Sequence, residues 1–251
     1  MLSWSRSPGS PSGCWRWSST AWRCCGAALP PKAKCCGWPS GSAGRGKPTS
    51  AATSTWSRSP TPTTPPTRPW REPHSDLTNW QRPPDYQLLY CLANDARGGD
   101  SLLTDGYAVA EALKAEDAQA FRLLNELAID ARFQDETTDI HFRAPVIDCD
   151  EHGKPVIIRF NNWLRDTLRL PRSQVTPYYR AYRRFWEMLR DPRYTARFKL
   201  RPGEMLAFDN LRVLHGRDAF DPASGRRHLQ GTYLDRDLVR SRQRVLARQG
   251  L

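Results

Sequence analysis

The first 71 residues contain no Asp or Glu, and no Val, Ile, Phe or Tyr. A segment without branched aliphatics other than a few leucines, and without a hydrophobic period, has too little to bury to offset the entropy of ordering it. That argues against a packed domain there. The whole chain lacks any run near the roughly 20 apolar residues that a membrane-spanning helix needs. It also lacks the apolar core of a secretory signal. The cysteines number seven, an odd count, and five of them (Cys14, Cys24, Cys25, Cys35 and Cys36) fall within the first 36 residues. This is not the framework of a disulfide-stapled secreted protein, so a reducing, cytoplasmic setting is expected. Beyond residue 71 there is no excess of either charge: 28 basic side chains are interleaved with 26 acidic ones. The formal net charge of +12 therefore belongs mostly to the leading segment, and the body has no basic stripe of the kind that binds nucleic acid.

What the leading segment does contain is Ser, Pro, Thr, Arg and Cys, seven of the ten tryptophans, and ten Lys or Arg. Three readings remain open. It is a low-complexity, disordered basic arm; or its thiols bind a metal; or it is GC-rich coding sequence read out of frame up to a point just before His74. The adjacent pairs Cys24-Cys25 and Cys35-Cys36 lack the C-x₂₋₄-C spacing of a zinc knuckle. The expected division is a low-complexity segment over 1–72 and a catalytic domain over 73–251.

After that boundary the text is that of a folded protein. Gln87–Asn94 is a short apolar run bounded by turn-formers and predicts a strand. Asp105–Ala115 and Ala118–Ala128 carry helical apolar spacing, as does Val175–Leu189, where Tyr179, Tyr182, Phe185, Trp186 and Leu189 fall roughly on one face. Strands are expected at Pro155–Phe160, Arg197–Leu200, Met205–Phe208, Arg212–His215 and His228–Tyr233. Short strands late in the chain with a helical insert predict an α+β fold built on an antiparallel sandwich or barrel.

His74-Ser75-Asp76 is the first chemical signal. In an extended segment residues i and i+2 share a face, so an imidazole and a carboxylate can converge on one ion. His215, at the end of an apolar strand and before a glycine, is the best third ligand. Two histidines and one carboxylate leave three positions open on Fe(II), the arrangement that binds a cosubstrate and O₂. Each of these histidines alone is equally well read as a surface or capping residue. Arg227, twelve residues after His215, raises the signal, because a guanidinium is the natural bidentate partner of a carboxylate, here the distal one of 2-oxoglutarate. His141, His152 and His228 show no such spacing. Tyr178, Tyr179, Tyr182 and Trp186 are expected to be helix packing.

Four stretches, GGDSLLTDG (Gly98–Gly106), FNNWLRDT (Phe160–Thr167), RPGEMLAFDNLRVLHGR (Arg201–Arg217) and RRHLQGTYLD (Arg226–Asp235), resemble the γ-butyrobetaine dioxygenase family, whose relatives include trimethyllysine and taurine dioxygenases. The resemblance spans nearly all of residues 74–245. It implies a double-stranded β-helix, a distorted jelly roll with a helical insert. It also implies Fe(II) and 2-oxoglutarate with O₂, ascorbate as an optional reductant, a small-molecule substrate, and an assembly that admits a homodimer. By this resemblance His74, Asp76 and His215 bind iron, and Arg227 with Ser101 holds 2-oxoglutarate. Tyr233 belongs to an aromatic cage for a trimethylammonium group, recognised by cation–π attraction, and Asn161 or Asn162 lies near the substrate carboxylate. The implied reaction is hydroxylation of γ-butyrobetaine to L-carnitine, with trimethyllysine or another small acid as the rival substrate. An inactive truncated remnant is the further alternative. Two departures stand out. Leu77 occupies a position that is aromatic in animal members, with Trp80 nearby as a substitute, and the family's upstream pocket residues have no counterpart in 1–72.

Overall fold

A computed structural model of the chain describes residues 71–250, and before them only the backbone of four short strands, β1 (Ser5–Arg6), β2 (Trp15–Arg16), β3 (Ala21–Cys24) and β4 (Ser54–Trp56). The remainder of the expected low-complexity segment, with its cysteines other than Cys24, lies outside the described residues. From there the order is β5 (Arg71–His74), β6 (Tyr86–Asn94), β7 (Arg97–Gly98), β8 (Ser101–Asp105), α1 (Gly106–Glu116) and α2 (Ala118–Glu126). Next come β9 (Ile129–Gln134), β10 (Asp139–Ala144), β11 (Ile147–Cys149), β12 (Pro155–Ile158) and α3 (Arg172–Leu189). The chain closes with β13 (Thr195–Phe198), β14 (Met205–Asp209), β15 (Val213–Arg217), β16 (Phe220–Asp221), β17 (Arg227–Leu234) and α4 (Arg236–Arg248).

Two antiparallel sheets form the frame. One runs β13-β8-β15-β5 and the other β3-β14-β6-β17-β4. Cys91 on β6, Leu206 and Phe208 on β14 and Leu229 on β17 meet Leu103 on β8 and Val213 on β15 in one buried cluster. That cluster fills the space between the sheets, as expected of a sandwich whose inward residues alternate along each strand. The outer face of β15 contributes Leu214 to a second cluster with α1, α2 and α3, including Val109, Leu113, Phe121, Tyr178 and Phe185. Each such side chain taken out of water stabilises the fold by about 1.5–3 kcal/mol. The expected double-stranded β-helix with a helical insert is the observed architecture.

Local chemistry explains the insert. Asp105 caps α1 by accepting from the N–H groups of Tyr107 and Ala108, and Asp117 caps α2 through Ala120, each satisfying donors that a helix start leaves orphaned. Buried Asp105 also takes both arms of the Arg212 guanidinium, at 3.0 and 2.7 Å, tying the helical insert to the turn before β15. On α3 the buried stripe is Tyr178, Ala181, Tyr182, Phe185, Met188 and Leu189. This corrects the expected face by one position: Tyr178 is buried, while Tyr179 stands exposed under the Arg165 guanidinium. The β9–β10 hairpin and α4 are elements beyond those expected. No helix among the described residues is long and apolar enough to cross a membrane.

Candidate active site

On β15, Val213 and His215 point to the same side, and Val213 lies in the inter-sheet core, so strand alternation carries the imidazole into the sandwich. There it packs against Phe208 with ring centroids 5.1 Å apart. β5 pairs antiparallel with β15 so that His215 opposes His74, but the next pair is Arg217 with Arg71. Two steps on β15 thus match three on β5, a bulge. Pro73, which has no N–H to offer a ladder, sits in it. Gly216 makes room for it: a Cβ there would lie 2.6 Å from the Arg71 carbonyl oxygen and 3.0 Å from the Pro73 nitrogen. The close approach sets the two imidazole centroids 4.3 Å apart.

Asp76 reaches the same point by a different route from the one expected. The strand ends at His74, so alternation along an extended segment does not bring the carboxylate round; a turn does. Ser75 is anchored first, its N–H to the Phe160 carbonyl at 2.9 Å and its hydroxyl to the Ile158 carbonyl at 2.6 Å. Asn210, fully buried between β14 and β15, then accepts from the Asp76 N–H at 2.9 Å and donates to the Asp76 carbonyl at 3.2 Å. Leu77 follows in the left-handed region at φ 55°, the one non-glycine residue with positive φ among those described. Buried Arg159 holds this turn by donating to the carbonyls of Trp80 and Gln81.

The result is a cluster in which one donor atom each from His74, Asp76 and His215 lies within 4.8 Å of the others. His74 Nδ1 is taken by the Glu72 carbonyl at 2.8 Å, which leaves Nε2 as its free lone pair, 3.4 Å from Asp76 Oδ1. His215 Nε2 is 3.7 Å from Asp76 Oδ2, and its buried Nδ1 has no partner among the described residues. Burial pushes the His215 imidazole down to about 3. Burial alone would raise Asp76, but His215, His74 and the Tyr233 hydroxyl outweigh it and hold the carboxyl well below its usual range. Both directions favour a neutral imidazole and an ionised carboxylate, the forms that ligate a cation. The donor set therefore fits a divalent metal with two imidazoles and one carboxylate.

Arg227 opens β17. Its guanidinium lies over Phe220 at 5.2 Å and donates to the Gly99 carbonyl at 3.5 Å. Its Nε is buried without a partner among the described residues, and no carboxylate among them acts on its charge. Burial lowers its pKa, with only Cys91 opposing. A half-buried cation of this kind has the chemistry to pair with an anion. Ser101 is buried at the start of β8, opposite Arg217 on β15.

The three expected substrate residues are placed as follows. The Tyr233 hydroxyl donates to Asp76 Oδ2 at 2.8 Å, so the residue lies at the cluster, in contact with its carboxylate. Asn161 donates to the Ser75 carbonyl and accepts from the Trp163 N–H, both at 3.0 Å; its amide is committed to the turn. Asn162 accepts from the Tyr182 hydroxyl at 2.9 Å. Trp80 is 44% exposed and lines an open hollow with Gln81, Arg82 and Ile140. His141 bonds Asp130 at 2.7 Å, a hairpin contact in keeping with a structural role. Sequence reasoning missed three residues: Gln87, whose Nε2 donates to Asp76 Oδ2 at 2.9 Å; Asn210; and Trp163, edge-on to His74 at 5.2 Å. Gln87 faces Tyr233 across the β6–β17 ladder, a signal visible only once that register is known.

Fold and cluster together are those of a double-stranded β-helix protein with two histidines and one carboxylate placed where they could hold a metal. A family model described as "Taurine catabolism dioxygenase TauD, TfdA family" matches residues 38–233. The chain belongs to that family. It is 47% identical over 175 residues to a γ-butyrobetaine dioxygenase of Pseudomonas sp. (strain AK-1), a match covering 70% of this chain and 46% of the relative. The Homo sapiens γ-butyrobetaine dioxygenase is 37% identical over 180 residues, covering 69% and 46%. The mitochondrial trimethyllysine dioxygenase of Gallus gallus is 35% identical over 182 residues, covering 70% and 43%. The chain thus spans about half the length of the curated relatives it matches. Among solved structures, a taurine dioxygenase from Burkholderia xenovorans superposes with TM-score 0.55 at 22% identity, over 72% of this chain and 61% of that one. An asparagine oxygenase superposes with TM-score 0.54 at 21% identity, over 70% and 53%.

Proposed function

We propose that residues 73–251 are the catalytic part of an Fe(II)- and 2-oxoglutarate-dependent dioxygenase that hydroxylates γ-butyrobetaine to L-carnitine. The observation that carries this reading is the convergence of His74, Asp76 and His215 within 4.8 Å in a chain 47% identical to a γ-butyrobetaine dioxygenase over the matched part. When bound, Fe(II) would supply the redox chemistry that couples decarboxylation of 2-oxoglutarate to oxidation of a C–H bond by O₂.

The chain's own residues bind and orient. His74 Nε2, Asp76 and His215 would hold the metal from one side and leave the opposite side to ligands. Arg227, with the Ser101 hydroxyl, would take the far carboxylate of 2-oxoglutarate, and the absence of an acid beside Arg227 among the described residues keeps its charge for that purpose. The Tyr233 ring would offer a face to a quaternary ammonium, which cannot donate hydrogen bonds. Of the asparagine pair, Asn162 is the better substrate contact, because both ends of the Asn161 amide already serve the backbone. Leu77, where animal members carry an aromatic residue, favours one second reading: a related oxygenase acting on trimethyllysine or another small acid. Ascorbate as reductant, a homodimer, a cytoplasmic setting and no nucleic-acid partner belong to the main reading, as does the assignment of residues 1–72 to a basic arm or an out-of-frame stretch.

The test is succinate and carnitine formation by the full chain with Fe(II), 2-oxoglutarate and γ-butyrobetaine, followed by mass spectrometry. Both products should appear and be lost in His215→Ala and Asp76→Ala. Succinate without a hydroxylated betaine would move the reading to another substrate, and no succinate at all would leave the inactive-remnant alternative.

A further inference from the structure

We infer that Gln87 is a positioning residue that, together with Tyr233, holds Asp76 as a one-oxygen ligand and so keeps a coordination position open for the cosubstrate. This rests on the metal site proposed above. Asp76 Oδ2 accepts the Tyr233 hydroxyl at 2.8 Å and the Gln87 amide at 2.9 Å. A carboxylate oxygen has two in-plane lone pairs, and these two donors occupy both. Among the described residues Oδ1 has no such donor, and it lies 3.4 Å from His74 Nε2, the lone pair that the Glu72 contact leaves free. Metal coordination therefore falls to Oδ1 alone.

The arrangement is built rather than incidental. Gln87 is buried on β6 and Tyr233 stands opposite it on β17, so one rung of the ladder delivers both donors to one oxygen. Asn210 clasps the Asp76 backbone on both sides, which fixes the base of the side chain, and the carboxylate cannot turn without breaking the two hydrogen bonds on Oδ2. A carboxylate is free to bind a cation through one oxygen or two. Two-oxygen binding would consume one of the three positions that a chelating 2-oxo acid and O₂ require. The oxygen spared here is the one the protein has already saturated.

The experiment uses the full chain under anaerobic conditions. Fe(II) is titrated first, then 2-oxoglutarate, following the visible charge-transfer band that a 2-oxo acid chelated to Fe(II) produces. The variants are Gln87→Met, close in shape and without a donor, Tyr233→Phe, and the pair. Hydrogen bonds to charged groups contribute about 1.5–3 kcal/mol, so each single variant should weaken 2-oxoglutarate binding by roughly 10- to 150-fold. Fe(II) binding should hold within about threefold, since a freed second oxygen compensates at the metal, and the charge-transfer band should shift or weaken. Restoring a donor with Gln87→His should recover part of the 2-oxoglutarate affinity. Fe(II) and 2-oxoglutarate affinities falling in parallel with an unshifted band would overturn the inference, because that is what simple loosening of the sheet would do. Unchanged 2-oxoglutarate binding in the double variant would overturn it too. A wild-type chain that binds Fe(II) but gives no band on adding 2-oxoglutarate would instead sink the reading of the site itself, and the inference with it. Should Gln87→Met fail to fold, Tyr233→Phe reads the same quantity from the other donor.

Discussion

Gly216→Ala tests how the two imidazoles are brought together. The glycine does not have a positive φ, so space rather than backbone freedom demands it. An added Cβ would lie 2.6 Å from the Arg71 carbonyl oxygen, where ordinary contact begins at 3.4 Å, and 3.0 Å from Glu72 C and Pro73 N. All three are backbone atoms and cannot swing aside, so β5 must retreat from β15 by roughly 0.8 Å, the shortfall between those distances. Overpacking of this kind costs about 1–3 kcal/mol. For a folded body of this size that is a fall in Tm of roughly 2–12 °C. The larger effect is expected at the cluster, because His74 lies on the displaced strand two residues from Glu72. A misplacement near 1 Å costs on the order of 10²-fold in rate. Thermal unfolding by circular dichroism, Fe(II) affinity by titration and kcat/KM from succinate release measure the three consequences. A variant that melts, binds Fe(II) and turns over like the wild type would refute the view that the bulge places His74.

Two further outcomes are expected. Arg227→Met should raise the KM for 2-oxoglutarate by about 10²-fold or more, given about 1.5–3 kcal/mol for each charged hydrogen bond lost, while Arg227→Lys recovers only part because an ammonium cannot form the two-pronged pair; equal KM values in all three proteins would remove Arg227 from the cosubstrate site. Burial pushes the Cys91 thiol up to about 11, so in the folded chain it should resist alkylation at pH 8. Between about 9 and about 11 the unfolded thiol ionises and the folded one does not, so stability should fall as pH rises through that window. Cys91→Ser should flatten this slope in urea titrations, and an unchanged slope would exclude Cys91 as its source.

The convergence of His74, Asp76 and His215 is legible in the sequence because each sits in a local pattern: H-x-D, and an apolar strand ending in His-Gly. The route by which Asp76 arrives was not legible. It depends on Asn210, 134 positions away in sequence, and nothing in an Asp-Asn turn reveals that its amide will clasp a distant backbone. In sequence Gln87 is only the start of an apolar strand, and its contact with Asp76 follows from the register that sets it opposite Tyr233. The α3 stripe slipped from Tyr178 to Tyr179 because both are tyrosines at adjacent positions, so periodicity alone had no contrast to use. The β9–β10 hairpin is legible in principle: Ile129, Ala131 and Phe133, then Ile140, Phe142 and Ala144, alternate with polar residues at the period of a strand.

β5 is four residues long and lies at the edge of its sheet, yet it delivers His74 to a partner 141 positions along the chain. A short edge strand closing so large a loop is the kind of contact that opens first. Any cation seated between His74, Asp76 and His215 is then also a fastener for the whole loop. A metal at a hundred times its Kd adds about 2.7 kcal/mol to the closed state, more than a four-residue strand contributes through any single hydrogen bond. Metal supply would thus govern how long the polypeptide stays folded as well as how fast it turns over, and the iron-starved form would be the one that proteases find.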